Sequence, residues 1–218
     1  MSQVQPQQQV KKRSIIYIDG FNFYYGVMKG GPYKWLNLER FFCRLRDNDL
    51  VQRIRYFTAE VNGPVHLANQ REYLLALTTL PMVDVILGKF KSKQVECRVI
   101  GCPNPGRRIF TTSEEKRTDV NIALWMLHDA QRDLCDRMIL VSGDSDLLPA
   151  ITMVKDHWPE KEIVVYIPAK NASRGAALEL RAVAHRNKTL PLDLLKKSQF
   201  PPSVPTGSGR IATRPSSW

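Results

Sequence analysis

Three aspartates stand where apolar runs give way to tight turns, a placement that suits chemistry better than packing. Asp19 closes the run "SIIYID" and is followed three residues later by Asn22, while Asp144 and Asp146 follow "RMILV" inside "LVSGDSDLLPA". A fourth, Asp119, opens a helical stretch at "RTDVN". Gly143 permits a sharp turn, and Ser142 is placed to hydrogen-bond a carboxylate or a ligand. Carboxylates gathered in one crevice repel one another, which raises their pKa values and costs stability unless a cation sits among them. Oxygen donors without histidine suit Mg²⁺ or Mn²⁺, and such an ion activates water for in-line attack on a phosphodiester. Asn22 adds an amide that can accept from a bound water or donate to a carboxylate or phosphate without adding charge. Two of these residues also have simpler roles open to them. Asp119 can serve the helix macrodipole, and Asn22 can cap the helix that follows the first strand.

Positioning these groups falls to a strand–helix alternation. Short β-branched runs at 14–19, 54–59, 83–88, 137–143 and 162–168 read as strands of a parallel sheet covered on both faces. Helical patterns separate them at 65–80, 118–134 and 145–158, and "RGAALELRAVAH" forms a further helix after the fifth strand. In the helix from 118, Val120, Leu124, Leu127 and Leu134 form one apolar stripe, with Thr118 as N-cap. This order predicts an α/β fold with right-handed crossovers. Ligands in such folds bind beyond the carboxyl ends of the strands, where strand order reverses. Neighbouring first and fourth strands would there bring Asp19 opposite Asp144 and Asp146.

At 218 residues the chain is long enough for one ordinary domain, and Lys and Arg number 32 against 21 Asp and Glu, a formal charge of +11. That balance favours a polyanionic partner, nucleic acid ahead of an anionic membrane surface. No apolar run is long enough to span a bilayer and no signal peptide is visible, so a cytoplasmic protein without a membrane partner is expected. Four cysteines make no disulfide framework. Cys97 and Cys102 could contribute to a zinc site, but their spacing is wide and no second Cys/His pair accompanies them, so reduced thiols are the reading.

"YIDGFNFYYG" (17–26), "EEKRTDVNIALWMLHDA" (114–130) and "ILVSGDSDLLPAI" (139–151), in this order, resemble the NYN-domain family of the PIN-like nuclease superfamily. The resemblance covers about Ser14 to Pro202. It implies a three-layer PIN-like fold with a five-stranded parallel sheet of order 3-2-1-4-5 and helices on both faces. It also implies an acidic cluster that binds Mg²⁺ or Mn²⁺ for RNA cleavage, leaving a 5′-phosphate and a 3′-hydroxyl. Carried onto this chain, the metal ligands are Asp19, Asp119, Asp144 and Asp146, with Asn22 as their partner in catalysis. Ser142, Lys116 and Arg117 would position substrate. The expected activity is that of an endoribonuclease acting on single-stranded or structured RNA. The alternative is a regulatory or RNA-binding module with the same crevice and little turnover. A homodimer is possible, as in PIN-like relatives.

The domain layout expected is a disordered Gln-rich arm over 1–13, a domain over 14–202 with a variable basic insert around 89–117, and a flexible Pro/Gly/Ser tail over 203–218. Lys89, Lys91, Lys93, Arg98, Arg107, Arg108, Lys116 and Arg117 cluster in that insert, as a phosphate guide or a solvated basic loop. Phe21, Phe23, Tyr24, Tyr25, Tyr33 and Trp35 are read mostly as core, with Tyr24, Tyr25 or Trp35 as the candidates for stacking on bases. His66, His128, His157 and His185 have no metal spacing and are given no role. GxGxxG, GxxxxGK[ST] and GxSxG are absent, and Phe21 stands where a haloacid-dehalogenase-like phosphatase needs its second Asp.

Overall fold

The computed structural model describes residues 10–99, 103, 109–169 and 178–218. Its centre is a parallel sheet. Strand β1 (Lys12–Asp19) pairs with β2 (Asp49–Thr58) on one side and β6 (Arg137–Val141) on the other, and β3 (Val83–Leu87), β7 (Glu162–Ile167) and β8 (Arg186–Thr189) complete the order β3-β2-β1-β6-β7-β8. The five expected strands are present in the expected order, as β3-β2-β1-β6-β7. The sheet has one strand more than expected, because β8 is "RNKT", exposed throughout. It joins through backbone pairing with Val164–Ile167, and its sequence carries no apolar alternation to announce it.

Alternation of side chains on the central strands builds two cores, one on each face. Ile16, Ile18, Ile139, Val141, Val164 and Tyr166 face α2 (Leu38–Leu45) and α3 (Pro64–Leu77), where Phe41, Phe42, Tyr73 and Leu77 meet them. Ile15, Tyr17, Met138, Leu140, Ile163 and Val165 face α4 (Thr118–Gln131) and α5 (Leu148–His157), through Ile122, Met126, Ile151 and Val154. Each such fully buried side chain contributes about 1.5–3 kcal/mol relative to exposure. No helix among the described residues is long and apolar enough to cross a membrane.

Several local expectations need correction. In α4 the buried face is Thr118, Ile122, Met126, Asp129 and Ala130, whereas Val120 and Leu124 are 62% and 59% exposed. The apolar stripe drawn through Val120, Leu124, Leu127 and Leu134 missed it because a charged residue, Asp129, lies on the inner side. Thr118 is not the N-cap. Arg117 takes that place with φ 84°, and the amide of Thr118 donates to Glu115 Oε1 at 3.2 Å. Trp35 is fully buried and unavailable for bases, while Tyr25 is 60% exposed.

The tail is packed where a flexible one was expected. Strands β9 (Ser203–Pro205) and β10 (Ile211–Thr213) form a hairpin with Val204 and Ala212 buried, and Trp218 lies 6.3 Å from Trp35 and 6.0 Å from Tyr73, ring centre to ring centre. At the other end Lys12 and Arg13 of the expected arm already belong to β1, and residues 1–9 lie outside the described residues. Of the helix read in "RGAALELRAVAH", α6 (Leu178–Val183) is described and 174–177 are not. The basic insert forms an antiparallel ribbon of β4 (Lys89–Glu96) and β5 (Ile109–Lys116). Arg107, Arg108 and Cys102 lie outside the described residues, and Cys97 is a free thiol. A short helix α7 (Leu192–Lys197) precedes the tail.

Candidate metal centre

Strands β1 and β6 run side by side in parallel, with Ile18 opposite Val141, so their last residues leave the sheet at one edge. Asp19 is the end of β1. The chain turns at Gly20 directly into helix α1 (Gly20–Phe23), which continues as a π-helical turn over Tyr24–Met28. A Cβ on Gly20 would stand 2.6 Å from the Phe57 carbonyl oxygen of β2, so only glycine allows this exit so close to the neighbouring strand.

Asp19 is 3% exposed, and three donors fix its carboxylate. The Asn22 amide N–H reaches Oδ1 at 3.0 Å, Asn22 Nδ2 reaches Oδ2 at 2.6 Å and Ser142 Oγ reaches Oδ2 at 2.9 Å. Asn22 therefore donates to a carboxylate, one of the two roles its chemistry allowed, and the capping carboxylate is Asp19 itself. The other side of the Asn22 amide, Oδ1, accepts from Gly143 N–H at 3.2 Å, which ties the end of β1 to the turn after β6. Ser142 Oγ also accepts from Asp144 N–H at 3.1 Å, and Asp144 Oδ1 accepts from Asp146 N–H at 3.0 Å at the head of a 3₁₀ turn, Ser145–Leu147.

Asp119 comes from the first turn of α4. One carboxylate oxygen each from Asp19, Asp119 and Asp144 lie within 4.8 Å of one another. Their electrostatics carry the strain of that arrangement. Burial pushes Asp119 up to about 6, helped by the charges of Asp19, Asp144, Glu115 and Asp146. Asp19 is also raised, by burial first and by Asp144, although its hydrogen bonds from Asn22 and Ser142 act the other way. A divalent cation would relieve both, and a cluster of carboxylate oxygens at partly buried positions suits one.

Asp146 is not one of the three. It is exposed and acts on the group through its charge on Asp119. Lys116 is exposed and paired with Glu114 at 2.6 Å, and Arg117 is exposed beside it. Sequence reasoning left out Glu115. Its Oε1 accepts from the Thr118 amide, and its charge adds to the load on Asp119. The only signal for it was its place in "EEKRTD", directly before the aspartate.

A parallel sheet with helices on both faces and an acidic group at the β1/β6 edge defines a nuclease-like α/β protein of PIN-like architecture. The model of the NYN domain matches residues 13–190, and the chain belongs to the NYN-domain family, within the PIN-like nuclease superfamily. Among characterised proteins it is 32% identical over 238 residues to 6-hydroxy-3-succinoylpyridine 3-monooxygenase HspA of Pseudomonas putida (strain DSM 28022 / S16), covering 94% of this chain and 75% of that protein. Its fold is shared with the crystal structure of a protein of unknown function from Vibrio parahaemolyticus RIMD 2210633. The TM-score is 0.54 at 20% identity, over 87% of this chain and 98% of the other.

Proposed function

We propose that this protein is a metal-dependent endoribonuclease that hydrolyses RNA phosphodiester bonds. The observation that carries the reading is the convergence of Asp19, Asp119 and Asp144 oxygens within 4.8 Å of one another in an NYN domain. These three would hold Mg²⁺ or Mn²⁺. When bound, the ion supplies a water activated for attack and neutralises charge at the phosphate. Asn22 and Ser142 keep the Asp19 carboxylate in one orientation, as outer partners of a metal ligand do. Asp146 and Glu115 deepen the negative potential that attracts the cation, and Lys116 and Arg117 stand at the start of α4 to meet the substrate backbone. In the reaction water oxygen bonds to phosphorus and the bond to the 3′ oxygen breaks, leaving a 5′-phosphate and a 3′-hydroxyl. One proton of the water passes to a carboxylate and on to solvent, the other stays on the 5′-phosphate until it ionises, and the departing 3′ oxygen takes up a proton from solvent. RNA is the partner, and the cytoplasm is the compartment this reading assigns.

One observation favours a second reading. The relative named as a 6-hydroxy-3-succinoylpyridine monooxygenase aligns with 94% of this chain, the acidic segments included in that span. An oxygenase would consume that pyridine with dioxygen and a reductant. Two parallel incubations separate the readings: labelled RNA with Mn²⁺ or with chelator, and 6-hydroxy-3-succinoylpyridine with dioxygen and reduced nicotinamide. Metal-dependent RNA fragments with 5′-phosphate ends support the nuclease. Hydroxylated pyridine products with intact RNA overturn it. RNA bound but left intact, with the pyridine also unchanged, moves the reading to a binding module.

A further inference from the structure

The β4–β5 ribbon has two unlike faces. Phe90 packs edge-on against Phe21 at 5.4 Å, Ser113 Oγ accepts from Asn62 Nδ2 at 2.6 Å, and Glu115 accepts from the Thr118 amide, so this set faces the domain. Side chains alternate along a strand, and the register pairs the remaining set as Lys89 with Lys116, Lys91 with Glu114, Lys93 with Thr112 and Val95 with Phe110. That set faces outward. All four lysines are exposed, Phe110 is 50% exposed, and Glu114 is engaged by Lys116. Lys89, Lys91 and Lys93 make no ion pair among the described residues. The outward face is thus a row of lysines with one carboxylate, Glu114, which also feels the charge of Lys93, and it ends at an aromatic ring.

The root of this ribbon is pressed onto the first turn of α4. A Cβ on Gly88 would lie 2.6 Å from Glu115 Oε1, 2.8 Å from Thr118 Oγ1 and 2.9 Å from the Lys116 carbonyl oxygen, so the two strands leave the domain in contact with the first turn of α4. Asp119 follows Lys116 by three residues. Successive outward lysines stand about 6.7 Å apart along the strand. This spacing lets a row of cations follow one nucleic-acid backbone toward the trio.

We propose that the outward face of the β4–β5 ribbon is the docking track for single-stranded RNA, an inference that rests on the nuclease reading above. Lys89, Lys91 and Lys93 contact successive phosphates, and Phe110 stacks on an unpaired base. Stacking requires an exposed base face, which a duplex hides, and the A-form major groove is too deep and narrow to admit the ribbon.

The test is binding of a labelled single-stranded oligouridylate, and of a blunt RNA duplex of equal length, measured by fluorescence anisotropy in chelator so that nothing is cut. K91Q/K93Q is expected to weaken oligouridylate binding at least about tenfold at low salt and to flatten the logarithmic salt slope by about 1.4, two contacts at roughly 0.7 each. F110A is expected to weaken it by about tenfold with the slope unchanged. A Mn²⁺ titration of K91Q/K93Q that matches wild type shows the acidic group intact. Unchanged affinity and slope in K91Q/K93Q, duplex bound as well as single strand, or no RNA bound by wild type would each overturn the track. Cleavage separates the two levels of inference. RNA held by the ribbon but never cut in Mn²⁺ contradicts the nuclease while supporting the ribbon as an RNA surface. RNA cut and bound normally by K91Q/K93Q does the reverse.

Discussion

Asn22 holds Asp19 by two hydrogen bonds, from its backbone N–H to Oδ1 at 3.0 Å and from Nδ2 to Oδ2 at 2.6 Å, and reaches with its Oδ1 to the Gly143 amide at 3.2 Å. One side chain thus fixes the orientation of a buried carboxylate and its distance from the turn that carries Asp144. Asn22→Ala should lower Mn²⁺ affinity by about 10- to 100-fold, the usual cost of losing an outer partner of a metal ligand. Calorimetric titration checks this. Asn22→Asp should do no better, since it exchanges a donor for another negative charge.

Asp119 sets a pH dependence. Its carboxyl is pushed up to about 6 from an ordinary value of 3.8, so the folded metal-free protein binds its proton more tightly than the unfolded chain does. The resulting cost to stability is absent below about pH 4, grows as pH rises through 6 and is complete above it. Asp119 is half-buried, and after allowance for solvent screening the cost is about 1 kcal/mol. In chelator, Asp119→Asn should therefore be about 1 kcal/mol more stable than wild type at pH 7.5 and equal to it at pH 4, by urea unfolding. Added Mn²⁺ should reverse the order at pH 7.5, and apparent Mn²⁺ affinity of wild type should rise between pH 5 and 7.

The far end of α4 is held by a buried charge. Asp129 is fully buried and accepts from Arg55 Nε and Nη2 at 2.9 and 2.8 Å and from the Tyr17 hydroxyl at 2.8 Å, while Arg55 lies over the Trp125 ring at 3.8 Å. Asp129→Ala leaves Arg55 charged and without its main partner, which should cost about 3–5 kcal/mol in urea unfolding. The same helix carries Asp119, so this variant should lose Mn²⁺ affinity even where it still folds.

How much of this was legible in the residues follows from the kind of signal each left. Asp19, Asn22, Ser142 and Asp144 sit at abrupt changes from apolar strand to turn, and their convergence needs only that β1 and β6 be neighbours. The inner face of α4 left a misleading pattern, because Asp129 is buried by pairing with Arg55, 74 residues away in sequence. Hydropathy favoured Val120 and Leu124 for the core, where they are not. Strand β8 has no apolar residue at all. The Pro/Gly/Ser composition of the last residues looks like a loop, yet Trp35 is covered there by Phe200 and Trp218.

That cover gives a further prediction. Trp218→Ala removes a ring from the cluster with Trp35 and Tyr73 and takes away the surface over which Lys34 lies at 5.7 Å. A loss of about 1–3 kcal/mol is expected, less than for a wholly enclosed aromatic because Trp218 is half-buried. Thermal and urea unfolding should both register it, with Mn²⁺ affinity unchanged.

The most direct test of the central claim is the rate of RNA cleavage in Mn²⁺ by wild type beside Asp144→Asn purified identically. Loss of one of three converging carboxylates should lower the rate by about 100-fold or more, several kcal/mol of transition-state stabilisation, while RNA binding in chelator stays within about twofold. Equal cleavage by the two proteins would contradict a reaction centred on Asp19, Asp119 and Asp144.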